Sequence, residues 1–268
     1  MDKSPIQHPA ASLTTFTLQI YRGTPDHQYW EEFELAFRPN INVIAALMEI
    51  QLHPVNKQQQ KTTPVVWEQG CLEEVCGSCS MLVNGMPRQA CTALIEPYIR
   101  ATGSSTITLA PFTKFPLIRD LYVDRTRMFD ALKKVHAWLP IDGSWDTGSF
   151  GPKISQEVQD AMYVLSTCMT CGCCSEACPQ VNAQSPFMGP AALSQVRLFN
   201  THPVGKLQRS ERLRTALGDD GIAGCGNAQN CVRVCPKQIP LTESLALIGR
   251  EASKQAIQDL LGLPDAEK

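Results

Sequence analysis

The sequence predicts an α+β protein in two parts, a β-rich one over residues 1–110 and a helical one over residues 111–268. Three observations predict it. Apolar residues alternate with polar ones in the first part and recur at helical spacing in the second, and the twelve cysteines fall into groups that respect the same division. A chain of 268 residues is long enough to give each part its own core.

The elements follow in order. "LTTFTLQIY" alternates at Phe16, Leu18 and Ile20, and "EEFELAF" at Phe33, Leu35 and Phe37, which predicts two strands paired as a hairpin. In "NVIAALMEIQ" the apolar Ile44, Leu47 and Met48 lie at i, i+3 and i+4, so a helix buries that face against the sheet. "CSMLVNGMPRQACTAL" holds two short strands around Asn84-Gly85, the dipeptide a type I′ turn favours. Pro87 cannot donate to a ladder and puts its strand at an edge or beside a bulge.

From Pro111 onward the alternation gives way to helical periodicity. "DRTRMFDALKKVHAWLP" lines up Met128, Leu132, Val135 and Leu139 before Pro140 stops the helix, and "SERLRTALG" closes on Gly218 as a C-cap. "PIDGSWDTGSFGPK" has no periodicity and reads as a surface loop within the helical part.

With 24 basic against 26 acidic residues, the chain carries no charge excess that would draw it to nucleic acid or anionic lipid. "MDKSPIQHPAASLTTF" lacks the apolar stretch of a secretory signal, and no run approaches the roughly 20 apolar residues of a membrane span. In a reducing compartment, closely spaced thiols are metal ligands or redox groups rather than a disulfide framework.

The first cysteine group, Cys71, Cys76, Cys79 and Cys91 in "GCLEEVCGSCSMLVNGMPRQAC", has the Cys-x4-Cys-x2-Cys…Cys spacing of a plant-type [2Fe-2S] loop. Gly70 and Gly77 leave room for the backbone to approach the cluster, and the loop N–H groups can donate to its sulfurs. A zinc ribbon is the alternative, but it needs paired Cys-x2-Cys knuckles and only one such pair is present here.

"STCMTCGCCSEACP" carries Cys168, Cys171, Cys174 and Cys178-Pro179 on the grid Cys-x2-Cys-x2-Cys-x3-Cys-Pro, with Cys173 off the grid. "GCGNAQNCVRVCP" fits the same grid with Cys225, Cys231 and Cys235-Pro236, while Ala228 takes the second position. In two-cluster ferredoxins the fourth cysteine of each grid serves the other cluster. Cys168, Cys171, Cys174 and Cys235 then complete a [4Fe-4S] site, and Cys178, Cys225 and Cys231 share the second. A cubane needs one thiolate per iron, so the corner facing Ala228 is expected to be vacant, giving a [3Fe-4S] cluster. Cys173 is left as a small buried thiol with no assigned role.

This order of motifs, together with "RPNINVIAALMEI", "DRTRMFDALKKVHAWLPIDG" and "GPAALSQVRLFN", resembles the iron-sulfur subunits of succinate dehydrogenase and fumarate reductase, and most of all their Gram-positive-like branch. The resemblance implies a β-grasp ferredoxin domain followed by a helical two-cluster ferredoxin domain. It implies an FAD-containing partner that oxidises succinate, a haem-containing membrane anchor, and menaquinone as acceptor. The chain would then sit peripherally on the cytoplasmic face of the cell membrane, held by the anchor. Electrons would pass from FAD through [2Fe-2S], [4Fe-4S] and [3Fe-4S] to quinone, and this chain would contain no catalytic acid, base or nucleophile. His136 is accordingly read as a surface or packed residue.

One departure stands out. The ubiquinone-reducing branch has a Trp shortly after the equivalent of Cys178-Pro179 and a His just after that of Cys225, where this chain has "PQVNAQS" and Gly226. Quinone contacts therefore do not transfer. The same subunit working as fumarate reductase, a freestanding multi-cluster carrier, and an aconitase-like lyase using the open iron corner are the alternatives. The last needs polar and basic residues gathered around that corner, and "CGNAQNC" offers only amides.

Overall fold

The computed structural model describes residues 13–140 and 151–265, so most of the "PIDGSWDTGSFGPK" loop lies outside the described residues. Two compact units result. The first runs to Phe112 and takes in Leu117–Val123, and the second comprises Thr113–Pro116 and the chain from Asp124 onward.

In the first unit β1 (Thr15–Thr24) and β2 (His27–Ala36) form the expected antiparallel hairpin, with Leu18 opposite Phe33. Phe16, Leu18, Ile20 and Phe33 are fully buried, each worth about 1.5–3 kcal/mol of transfer free energy. The helix α1 (Val43–Leu52) starts at Asn42, whose side chain accepts from the Ala45 N–H and caps it. Its buried face is Val43, Ile44, Ala46, Leu47 and Ile50, and Met48 is exposed, contrary to the expected stripe. At 3.6 residues per turn Met48 lies about 140° around from Val43, on the far side of the helix.

Strands β3 (Ser80–Val83) and β4 (Met86–Gln89) meet at Asn84-Gly85, where φ values of 49° and 76° make the type I′ turn. Pro87 sits on β4, which is an edge strand as expected. A helix α2 (Ile95–Thr102) and the central strand β5 (Thr106–Ala110) complete the unit. The sheet order β2-β1-β5-β3-β4 pairs β5 parallel to β1 and antiparallel to β3.

The helical reading from residue 111 needs one correction. Strands β6 (Leu117–Arg119) and β7 (Tyr122–Val123) form a small hairpin that belongs to the first unit. Its turn residue Asp120 explains why. The buried Asp120 carboxylate accepts from the Gly23 and Val66 N–H groups and from Arg22. Arg22, also buried, donates in addition to Glu31, Thr62, Thr63 and the Pro64 carbonyl. One guanidinium thus fastens the hairpin and the 62–66 segment, which leads into the cysteine loop, to β1.

In the second unit every regular element among the described residues is helical: α3 (Thr126–Lys134), α4 (Gln156–Ser166), α5 (Cys173–Glu176), α6 (Pro190–Thr201), α7 (Arg209–Ala216), α8 (Asn230–Val234) and α9 (Leu241–Leu260). The helix α3 stops at Lys134, earlier than Pro140, and leaves Leu132 and Leu139 only half-buried. His136 turns into the left-handed region at φ 49°, and the buried Arg212 takes the His136 and Trp138 carbonyls at 2.9 Å each. The His136 ring stacks on Trp138, so it is a packed residue. Gly218 donates to the Thr215 carbonyl at the end of α7, one residue beyond the cap. Among the described residues no helix is long and apolar enough to cross a membrane.

Candidate metal centres

The first centre is built by one loop. Between Gly70 and Cys79 the backbone enters the left-handed region at Leu72 (φ 62°), Glu74 (φ 56°) and Gly77 (φ 74°), curling around the sulfurs. Cys71 Sγ accepts from the N–H groups of Glu73, Val75 and Cys76 at 3.2–3.3 Å, and Cys76 Sγ accepts from those of Cys71 and Ser78. A Cβ on Gly70 would stand 3.0 Å from Cys76 Sγ, so this glycine keeps the approach open as the sequence suggests.

The two ends of the loop differ electrostatically. Cys76 is exposed, and the Cys71 N–H holds its thiol down at about 6. Cys79 and Cys91 are buried, and burial pushes the Cys79 thiol up to about 12. Asn42, the α1 cap, also donates to the Cys91 carbonyl at 2.8 Å and so ties that cysteine to the helix. Asn42 and Gln89, whose Oε1 lies 3.6 Å from Cys79 Sγ, adjoin this site although no motif marks them.

The second unit gathers its cysteines around two cavities. One is lined by Cys168, Cys171, Cys174 and Cys235, with Met128, Ala191, Ile239 and Leu241 closing it. The other is lined by Cys178, Cys225 and Cys231, with Ala228 and the amides Gln180, Asn227, Gln229 and Asn230. Each cavity therefore mixes the two sequence grids in the crossed sense. Among the described residues no three Cys, His, Asp or Glu side chains converge on a single-ion point, and the cysteines ring spaces instead.

Electrostatics follows the same grouping. Burial raises the Cys168 thiol, with further contributions from Cys171 and Cys235, and raises Cys231, with contributions from Cys178 and Cys225. Burial raises Cys174 well above its ordinary range, with Cys171, Cys168, Cys235 and, from the other cavity, Cys231 adding to it. A metal held by these thiols would have to displace their protons and would supply the positive charge that burial denies them. Cys173 is buried, and a hydrogen bond from its side chain holds the Cys171 thiol below its ordinary range.

Several helpers were not legible in the sequence. Glu176, between Cys174 and Cys178, is buried and accepts from the Thr113 N–H and hydroxyl and the Lys114 N–H, anchoring α5. Asn230 donates to the Ala177 carbonyl and joins the second grid to the first. At Gly226 a Cβ would stand 2.6 Å from Gln180 Nε2, so the Gln180 side chain already fills the room a residue there would need. Ala228 is exposed and among the described residues no charged side chain lines its cavity, which leaves the lyase reading without its chemistry.

A cysteine loop on a mixed sheet, followed by two thiol-lined cavities among helices, defines a multi-cluster iron-sulfur protein of the ferredoxin type. The chain matches the family model of the 2Fe-2S iron-sulfur cluster binding domain over residues 17–130 and that of the 4Fe-4S dicluster domain over residues 164–239. It is 56% identical, over 87% of its length and 90% of the relative's, to the succinate dehydrogenase iron-sulfur subunit of Bacillus subtilis. To the fumarate reductase iron-sulfur subunit of Wolinella succinogenes it is 27% identical over 88% of its length and 96% of the relative's. A chain of the Mycobacterium smegmatis Sdh1 complex in the apo form shares the fold, with a TM-score of 0.76, 20% identity and coverage of 91% of this chain and 98% of that one. The chain belongs to the family of succinate dehydrogenase and fumarate reductase iron-sulfur subunits.

Proposed function

We propose that the chain is the electron-transfer subunit of a succinate dehydrogenase complex, between an FAD-containing flavoprotein and a haem-containing membrane anchor that offers menaquinone, on the cytoplasmic face of the membrane. The 56% identity to the Bacillus subtilis succinate dehydrogenase subunit, across nearly the whole chain, carries this reading and favours succinate oxidation over fumarate reduction. When bound, the clusters supply one-electron carriers in series.

Residues 1–110 hold [2Fe-2S] through Cys71, Cys76, Cys79 and Cys91. Residues 111–268 hold [4Fe-4S] through Cys168, Cys171, Cys174 and Cys235, and [3Fe-4S] through Cys178, Cys225 and Cys231. The grouping of the second unit's cysteines around two separate cavities supports their part of the assignment. Backbone N–H groups aimed at Cys71 and Cys76 stabilise negative charge on those sulfurs, and burial of Cys174 and Cys231 keeps water from theirs. Low-temperature EPR of the purified complex, recorded oxidised for the three-iron centre and reduced with dithionite for the other two, tests the proposal. Two-iron, four-iron and three-iron signals are expected, and a complex lacking all three would overturn it.

A further inference from the structure

Among the described residues, a buried polar side chain from the neighbouring strand reaches a sulfur of the first centre. Gln89 ends β4 at 2% exposure, and its Oε1 accepts from Cys79 Sγ at 3.6 Å. Its Nε2 donates to Ser80 Oγ at 2.8 Å, and that hydroxyl, also buried, donates to the Gly77 carbonyl at 2.8 Å. Cys71 and Cys76 draw on their own loop, whereas Cys79 has a side-chain partner from the neighbouring strand.

A cysteine that holds iron does so as a thiolate, which accepts hydrogen bonds but cannot donate one. Left as it stands, Gln89 would then press an acceptor oxygen against an acceptor sulfur, both of them buried. A half-turn of the amide removes the conflict without moving the rest of the side chain. Nε2 then donates to Cys79 Sγ, and Oε1 accepts the single proton of the Ser80 hydroxyl, which swings to the amide from the Gly77 carbonyl.

We propose that Gln89 is a positioning residue that raises the reduction potential of the [2Fe-2S] centre by donating its amide N–H to the Cys79 sulfur. The proposal rests on Cys79 being a ligand of that cluster. An added electron increases the negative charge on the sulfurs, so a donor fixed on one of them stabilises the reduced form more than the oxidised form. Burial strengthens the effect because little water screens it.

The test is an EPR redox titration of the two-iron signal in the assembled, membrane-bound complex, comparing the native chain with Gln89→Leu and Gln89→Met. Both replacements keep a buried side chain and remove the donor. The expected result is a retained signal whose reduced-to-oxidised ratio at the native midpoint falls about tenfold, which is a shift of about 59 mV downward for one electron. A retained signal with an unchanged or raised midpoint overturns the proposal and leaves the ligand assignment standing. Loss of the signal in both variants makes Gln89 a purely structural residue and also overturns it. If only the Leu variant loses the signal, the Met midpoint decides by the same criterion. A native complex without a two-iron signal would overturn the ligand assignment itself.

Discussion

In the first unit the four cysteines lie between residues 71 and 91 on one loop and one hairpin, whereas each cavity of the second unit joins segments far apart, Cys178 to Cys225 and Cys174 to Cys235. The local site is shaped by its own backbone, through left-handed residues and N–H groups turned toward sulfur. The non-local sites depend on α6, α8 and α9 being in place before any cavity exists. The first site leaves Cys76 at the surface while burying Cys79 and Cys91, and the second unit buries Cys174 and Cys231 and leaves Cys168, Cys171, Cys178, Cys225 and Cys235 half-buried. Metal binding and folding are therefore more tightly coupled in the second unit.

The largest effect expected from this contrast is in the first unit. Arg22→Met removes the guanidinium that neutralises the buried Glu31 and Asp120 carboxylates and holds the 62–66 segment. Uncompensated buried charge costs about 3–5 kcal/mol. Denaturant titration of the full chain should show that loss, and EPR should show the two-iron signal weakened while the four-iron and three-iron signals persist. Parallel loss of all three would mean that the units do not hold their sites independently.

A smaller effect is expected at the open corner of the second unit. Ala228 lines the cavity of Cys178, Cys225 and Cys231, and Ala228→Cys would supply the missing thiolate. The three-iron signal should give way to a second four-iron signal of lower potential, since the added thiolate brings negative charge. A drop of about 59 mV in a one-electron centre is a tenfold change in its equilibrium. Quinone reduction should slow by about that factor if this step limits turnover, while succinate oxidation with an artificial acceptor continues. An unchanged three-iron signal would place Ala228 away from the vacant corner.

What could be read beforehand divides along the same line. The β1–β2 hairpin, the Asn84-Gly85 turn and the cysteine grids are local patterns, and the sequence carries them in full. Strand β5 has the alternation to be seen, at Ile107 and Leu109, but its partner is β1, some ninety residues earlier, with Leu18 opposite Ile107. The β6–β7 hairpin depends on Asp120 meeting Arg22, and the early end of α3 on Arg212 reaching its carbonyls, neither of which leaves a periodic trace. Gln89 looks like any polar residue on an edge strand until its amide is found against Cys79.

The crossed pairing of grids is the claim on which the account of the second unit stands, and EPR of the Cys235→Ser and Cys178→Ser complexes tests it most directly. Cys235 lines the cavity of Cys168, Cys171 and Cys174, although Cys225 and Cys231 are its neighbours in sequence. Cys235→Ser should damage the four-iron signal and spare the three-iron one, and Cys178→Ser should do the reverse. Loss of the three-iron signal in Cys235→Ser, with the four-iron signal intact, would contradict it.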